Sequence, residues 1–179
     1  MGQLVERNGF WTDPESGAAY SPVSVSRHFT KRPWFFLLPD EEVRSILLIG
    51  VAHGAVVELY NRIFGIVSQH DLLIKPETKW TLVDPAGGEN VIPMRGADYV
   101  ASYRGPGFDF VIVDGWEGHK ACAEFFTKEF SDDLAKITSS FVINMDDRQS
   151  YGPMNFTSWL RSAESVIGKN RVVRYSRVT

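Results

Sequence analysis

The fold of this chain is decided by the stretch Ser45-Ile46-Leu47-Leu48-Ile49-Gly50-Val51-Ala52-His53-Gly54, in which an unbroken apolar run leads into a turn bounded by glycines. Such a run predicts a strand that is buried on both faces, as in a parallel sheet. The next segment, 54–70, carries apolar residues at helical spacing and predicts an amphipathic helix. The strand therefore ends at a helix amino terminus, where backbone N–H groups favour a polar or anionic ligand.

The rest of the chain alternates strands and helices. We predict strands at 45–50, 80–84, 90–94, 108–114, 140–145 and 171–178, and helices at 54–70, 97–103, 120–137 and 156–167. This alternation predicts an α/β fold with a doubly wound, mostly parallel, Rossmann-like sheet and helices on both faces. Residues 1–44 mix glycine, proline, serine and aromatic residues without a period. We interpret them as an irregular N-terminal arm or cap, with a short helix near Pro33–Leu38, and 45–179 as the Rossmann-like domain.

Composition excludes several classes of protein. A net charge of −3 provides no basic surface for nucleic acid. The apolar run at 46–51 is too short to span a membrane. The single cysteine, Cys122, excludes an intrachain disulfide. We therefore expect a cytoplasmic protein with a small-molecule substrate and neither nucleic acid nor membrane as partner; a homo-oligomer stays open.

Candidate site residues follow the predicted strands. Gly50 and Gly54 bound a turn in which the backbone can approach a ligand closely, or which is simply tight. Asp84 ends the second strand, where an acid can accept hydrogen bonds from a ribose or can form the turn before Pro85. His53, inside the first turn, is either a ligand contact or a hydrogen-bonded loop histidine.

Three carboxylates follow two apolar strands. Asp114 ends one strand, and Asp146 and Asp147 end the next. If the strands are neighbours, the charges converge, and a divalent cation such as Mg²⁺ is their natural partner. The alternative is a solvated turn in which Asp146 and Asp147 pair with Arg148.

General bases are available between these strands. Glu117, His119 and Lys120 can each take a proton from a bound hydroxyl. Glu117 and His119 can equally begin the predicted helix, where an acid suits the helix dipole.

The motifs from Ser45 to Val178 resemble those of the class I (Rossmann-like) S-adenosylmethionine-dependent methyltransferases. The resemblance rests on Ile46–Gly54, on Leu82-Val83-Asp84, and on Arg95-Gly96-Ala97-Asp98 followed by Phe108–Asp114. It implies S-adenosylmethionine as cofactor, with Asp84 at its ribose and Asp98 near its adenine. The turn residues Gly50, Ala52, His53 and Gly54 would hold its amino acid end.

Two subgroups are similar in pattern. Asp114-Gly115-Trp116 with Asp146-Asp147 looks like the metal-dependent catechol-type O-methyltransferases, which implies Mg²⁺ at Asp114, Asp146 and Asp147. The shorter match Phe126–Phe130 is similar to spermidine synthases. Asp114, Glu117 and His119 are the catalytic candidates.

The chain also departs from the family pattern. Leu48 replaces the usual acid of the first turn, and Ala52 replaces its middle glycine. Glu117 stands where the catechol-type enzymes place a lysine base. A single C-terminal strand is predicted where the family has an antiparallel pair.

The function that follows is methyl transfer from S-adenosylmethionine to a hydroxyl or amine of a small molecule. The alternatives are aminopropyl transfer of the spermidine synthase type, and a Rossmann-like binding module without catalysis.

Overall fold

The computed structural model describes residues 5–7, 10–12, 19–20, 43–51, 74–88, 90–117, 120–146, 158–167 and 170–178. Its strands are β1 (Val5–Arg7), β2 (Phe10–Thr12), β3 (Ala19–Tyr20), β4 (Val43–Ile49), β5 (Ile74–Val83), β6 (Val91–Ile92), β7 (Phe110–Val113), β8 (Trp116–Glu117), β9 (Lys120–Ala121), β10 (Ser140–Asp146), β11 (Trp159–Ile167) and β12 (Asn170–Arg177). Its helices are α1 (Gly96–Ser102), a 3₁₀ helix (Ala123–Phe126) and α2 (Lys128–Ile137). Within these ranges, no helix has the length and apolar character that a bilayer crossing requires.

A seven-stranded sheet with the order β11-β12-β10-β7-β4-β5-β6 organises the domain. Five neighbouring strands of this sheet, in the order β6, β5, β4, β7 and β10, are parallel. Starting at β4, the chain first adds β5 and β6 on one side and then β7 and β10 on the other. The strand order therefore reverses between β4 and β7, as it does in Rossmann-like folds. This confirms the prediction of a mostly parallel α/β sheet; the helix predicted at 54–70 lies outside the described residues.

The central strands are buried on both faces, as their apolar runs predict. Leu47 and Val111 pack on one face with Leu134 of α2. The alternate residues Leu48 and Ile112 belong to a second cluster on the other face. All five side chains are fully buried. Burial on both faces holds the carboxyl ends of these strands at one level.

Helix α2 is shorter than predicted. It begins at Lys128 instead of Lys120, and Thr127 caps it by accepting a hydrogen bond from the Phe130 N–H over 3.2 Å. The residues before the cap form β9 and the 3₁₀ helix. The prediction was wrong here because apolar residues of the 3₁₀ helix continue the spacing of the helix that follows.

Strand β5 and the N-terminal arm are more regular than predicted. β5 begins at Ile74 although Pro76 and charged residues argue against a strand. Only Leu82 and Val83 of β5 pair with β6, so the described part of the sheet leaves the proline an unpaired side, which strands tolerate. In the arm, β1, β2 and β3 form a small antiparallel sheet. The helix predicted at Pro33–Leu38 lies outside the described ranges.

The C-terminal segment contradicts the prediction of a helix at 156–167. It is strand β11, which pairs with β12 in an antiparallel hairpin, so the C-terminal end has a pair of strands instead of one. Trp159 and Ala163 are one helical turn apart, which suggested a helix. A β-bulge between Arg161 and Ala163 places them on opposite faces of the sheet instead.

We predict very different effects on stability for two adjacent substitutions in β11. Trp159 is buried against Phe141, with ring centroids 4.8 Å apart, whereas Leu160 is 61% exposed. Trp159→Ala should lower the free energy of unfolding by about 3–5 kcal/mol because it opens a cavity. Leu160→Ala, the matched control, should change it by no more than about 0.5 kcal/mol. Urea denaturation of both variants measures this, and equal losses would contradict the strand assignment.

Candidate active site

The carboxyl ends of the parallel strands surround a cavity of about 570 Å³. Gly50 follows β4, Asp84 follows β5, Asp114 follows β7, and Asn144 lies near the end of β10. Open α/β sheets bind ligands at this edge, where the strand order reverses. The volume is within the range of small-molecule sites. The structure thus brings together Gly50, Asp84, Asp114 and Glu117 of the predicted site residues.

Gly50 is the point where β4 leaves the sheet. Its φ of +89° is a conformation that L side chains rarely adopt. A Cβ atom at Gly50 would lie 2.5 Å from the Asp114 carbonyl oxygen and 2.6 Å from the Gly115 nitrogen. Glycine is therefore required by contact with the neighbouring strand, whether or not a ligand is bound. That contact draws the ends of β4 and β7 together beneath the cavity.

Asp84, at the end of β5, is hydrogen-bonded to the turn that follows β4. Its Oδ2 atom accepts a hydrogen bond from the Val51 N–H over 2.8 Å, and its Oδ1 atom accepts one from the Ala86 N–H over 2.9 Å. The second bond is the turn role that the sequence left open. Each carboxylate oxygen has more than one acceptor position, so these two bonds are compatible with hydrogen bonds from a ribose.

Asp114 is held by side chains. Its Oδ1 atom accepts hydrogen bonds from Trp116 Nε1 over 3.0 Å and from Asn144 Nδ2 over 2.8 Å. Asp114 and Asn144 are 7% and 5% exposed, so these bonds are made largely out of water. The Asn144 Oδ1 atom is buried without a hydrogen-bond partner in the described part of the chain. Such an atom lowers stability by about 1–3 kcal/mol unless a ligand or water satisfies it.

Asn144 was missed by the sequence analysis. The available signal was an amide inside the otherwise apolar strand Phe141-Val142-Ile143-Asn144-Met145. A buried polar side chain in a central strand requires a partner. Here the partner is Asp114, which directly follows the adjacent strand β7 and accepts a hydrogen bond from Asn144 Nδ2.

Glu117 lies on the rim of the cavity. It belongs to β8, which pairs with β9 in a short hairpin, and its side chain is exposed. Its predicted position at a helix start is therefore wrong, although its place at the site is unaffected. Lys120, in β9, is exposed and is not among the described residues that line the cavity. His119 lies outside the described residues.

One wall of the cavity comes from the 3₁₀ helix. Phe125 is buried between Gly96 and Gly115, where added Cβ atoms would lie 3.0 Å and 2.7 Å from its ring. Beside it, Glu124 forms an ion pair with Arg95, whose Nε atom donates over 2.9 Å. The sequence analysis missed this wall because it placed these residues in a longer helix.

The Mg²⁺ prediction finds no support. Within the described ranges, no three histidine, cysteine, aspartate or glutamate side chains form a group that could hold a metal ion. Asp114 Oδ1 accepts hydrogen bonds from two side-chain N–H groups instead. The structure describes Asp146 by its backbone at the end of β10, and Asp147 lies outside the described residues.

Other predicted cofactor residues are not brought to the cavity by the described structure. Asp98 lies on the exposed side of α1 and is not among the described lining residues. Ala52, His53 and Gly54 fall outside the described ranges. The first turn is thus represented by Gly50 and Val51, both of which line the cavity.

Comparisons with known proteins find similar folds among solved structures. No protein-family model and no curated protein matches this chain. The N-methyltransferase NodS from Bradyrhizobium japonicum WM9 matches with a TM-score of 0.52 at 11% identity, over 87% of this chain and 97% of NodS. A conserved hypothetical protein from Streptococcus pyogenes matches at 0.51 and 13% identity, over 83% of this chain and 95% of that chain.

A third solved structure, TnmH, matches with a TM-score of 0.50 at 11% identity, over 87% of this chain and 56% of TnmH. At such identities the likeness concerns the fold alone. It agrees with the Rossmann-like strand order that the sheet shows directly. Function has to be argued from the site.

The thiol of Cys122, which also lines the cavity, provides a chemical test of this geometry. Burial raises the pKa of Cys122, and the charges of Glu117 and Glu124 raise the pKa further. Alkylation by iodoacetamide should therefore reach half its maximal rate above the ordinary thiol pKa of about 8.5. Mass spectrometry measures this at one site because the chain has one cysteine.

Glu117→Gln should lower the pKa of Cys122 and speed alkylation at pH 8, since thiolate is the reacting form. Asp132→Asn, on the exposed side of α2, is the control and should leave the rate unchanged. Equal alkylation rates in the two variants would mean that the Glu117 carboxylate lies too far from the Cys122 thiol to affect its pKa.

Proposed function

We propose that this chain is an S-adenosylmethionine-dependent methyltransferase that modifies a hydroxyl or amine of a small molecule. The observation that carries the proposal is the hydrogen bond that joins the ends of β4 and β5. There the Val51 N–H donates to Asp84 over 2.8 Å at the edge of the cavity. An acid in this position of a Rossmann-like sheet suits a ribose. The name of one structural neighbour, an N-methyltransferase, agrees with the proposal.

We assign the parts of the cofactor by the order of the strands. The ribose would lie at Asp84, and the base beside Pro85, Ala86 and Gly96, which line the cavity on the β5 side. The amino acid end would lie over the turn that begins at Gly50. The sulfonium would then lie between the ends of β4 and β7. The residues that line the cavity fit the cofactor because they offer acceptors to its hydroxyls and an apolar wall at Phe125.

The chemistry required of the protein is modest. A lone pair of the acceptor oxygen or nitrogen forms a bond to the methyl carbon, while the carbon–sulfur bond breaks and its electrons remain on sulfur. The proton of the acceptor passes to a base or to water. Such a displacement depends mainly on proximity and alignment. Glu117, on the rim beside Asp114, is the described carboxylate that we assign as the base.

Aminopropyl transfer of the spermidine synthase type is the second candidate. The carboxylates of Asp114 and Glu117 line the cavity and would suit a diamine. Decarboxylated S-adenosylmethionine is then the donor. Calorimetric preference for that donor over S-adenosylmethionine would favour this candidate over methyl transfer.

We predict that the Asp84→Ala variant binds S-adenosylhomocysteine about 1–3 kcal/mol more weakly than the unmutated chain, because it removes a charged, half-buried hydrogen-bond acceptor. Asp98→Ala is the matched control, since Asp98 is an exposed acid that does not line the cavity within the described structure. Isothermal titration calorimetry measures both affinities. Thermal unfolding of each variant separates loss of binding from loss of fold.

Two results would contradict the proposal. The absence of heat with millimolar S-adenosylhomocysteine would leave a binding module without this cofactor. An unchanged affinity in Asp84→Ala, with a normal affinity in the control, would restrict Asp84 to its turn.

A further inference from the structure

The two ends of the cavity differ in position along the sheet. Asp84 lies on the β5 side of Gly50, whereas Asp114 and Asn144 lie on the β7 and β10 side. In the function proposed above, the nucleoside occupies the Asp84 side. The acceptor substrate therefore meets the methyl group at the Asp114 and Asn144 end, and the side chains of that end select the acceptor.

The side-chain oxygens of Asp114 and Asn144 at this end are hydrogen-bond acceptors. A carboxylate accepts only, so Asn144 has to turn its NH₂ group toward Asp114, as the distance of 2.8 Å records. Its amide oxygen is thereby directed to other partners, and it has none in the part of the chain that the structure describes. The indole N–H of Trp116 is engaged by Asp114 as well. A ligand at this end has to supply the N–H or O–H donors.

Charge favours the same kind of ligand. The described residues that line the cavity include four carboxylates, Asp84, Asp114, Glu117 and Glu124, and one guanidinium, Arg95. Arg95 is ion-paired with Glu124. The lining is therefore net negative, which attracts cations and repels anions such as a phenolate.

We infer, on the basis of the proposed methyl transfer, that the acceptor substrate is an amine whose nitrogen donates hydrogen bonds to the Asn144 amide oxygen and the Asp114 carboxylate. The ammonium form that the negative lining attracts first gives one proton to water. The neutral primary amine that remains has two N–H donors and a lone pair, so the nitrogen that is held can also attack. Its lone pair forms the carbon–nitrogen bond, and the carbon–sulfur electrons stay on sulfur. The nitrogen then loses a proton to Glu117 or to water.

The test uses S-adenosylhomocysteine analogues in which nitrogen replaces sulfur and carries a 2-aminoethyl, 2-hydroxyethyl or propyl arm. The arms have similar size and reach the acceptor end from a common cofactor frame. In the unmutated chain, the aminoethyl analogue should bind about tenfold more tightly than the propyl analogue, as charged hydrogen bonds allow. The hydroxyethyl analogue should lie between them.

Variants assign this preference to Asn144. Asn144→Leu should reduce the ratio of aminoethyl to propyl affinity about fivefold or more, because the amide oxygen is lost. Trp116→Phe is the matched control: it removes the other donor to Asp114 Oδ1 and keeps the amide, so its ratio should fall less than that of Asn144→Leu. If Asn144→Leu does not fold, Asn144→Asp, which keeps an oxygen, should retain or increase the ratio.

Each contrary result has its own meaning. If S-adenosylhomocysteine binds but the three arms bind equally, the amine assignment is wrong while the cofactor proposal stands. The assignment to Asn144 is wrong if Trp116→Phe lowers the ratio as much as Asn144→Leu. It is also wrong if Asn144→Leu weakens S-adenosylhomocysteine but not 5′-methylthioadenosine, because the amide then holds the amino group of the cofactor. If S-adenosylhomocysteine does not bind at all, the proposed function fails as well.

Discussion

The close contact between Gly50 and the backbone of Asp114 and Gly115 is the constraint on which the site depends. A left-handed φ and the absence of a Cβ atom allow β4 to turn directly against the end of β7. The same turn presents the Val51 N–H to Asp84. Any other residue at position 50 would separate the strand ends. One backbone feature thereby gathers groups from three strands at the place where the strand order reverses.

The two acids at this edge, the half-buried Asp84 and the buried Asp114, have different surroundings. Asp84 is held by backbone N–H groups, so it fixes the turns around it. Asp114 accepts hydrogen bonds from the side chains of Trp116 and Asn144. Its orientation therefore depends on the identity of these two residues. Their positions on the β5 side and the β7 side of Gly50 are why we assign the first to the cofactor and the second to the acceptor. The fold itself is shared by many activities and decides neither.

Sequence patterns predicted the parallel strands because an unbroken apolar run of this length is typical of a strand that is buried on both faces. They predicted Asp84 and Asp114 as site residues because each follows the end of a predicted strand. They failed at β11, where a bulge imitates helical spacing, and at the segment before α2, where a 3₁₀ helix does so. Asn144 was missed since its role appears only when β7 and β10 are known to be neighbours. Contacts between distant segments are not visible in a single sequence.

The most direct test of the account is a ¹⁵N NMR titration with S-adenosylhomocysteine. A cofactor bound at the reversal of the strand order should shift the amide signals of Val51, Ala86 and Gly115, which lie around the cavity. The signals of Lys79 and Phe108, beside a second cavity that also includes Val43 at the amino end of β4, should stay unchanged. Shifts confined to the second group, or no shifts at all, would contradict the central claim.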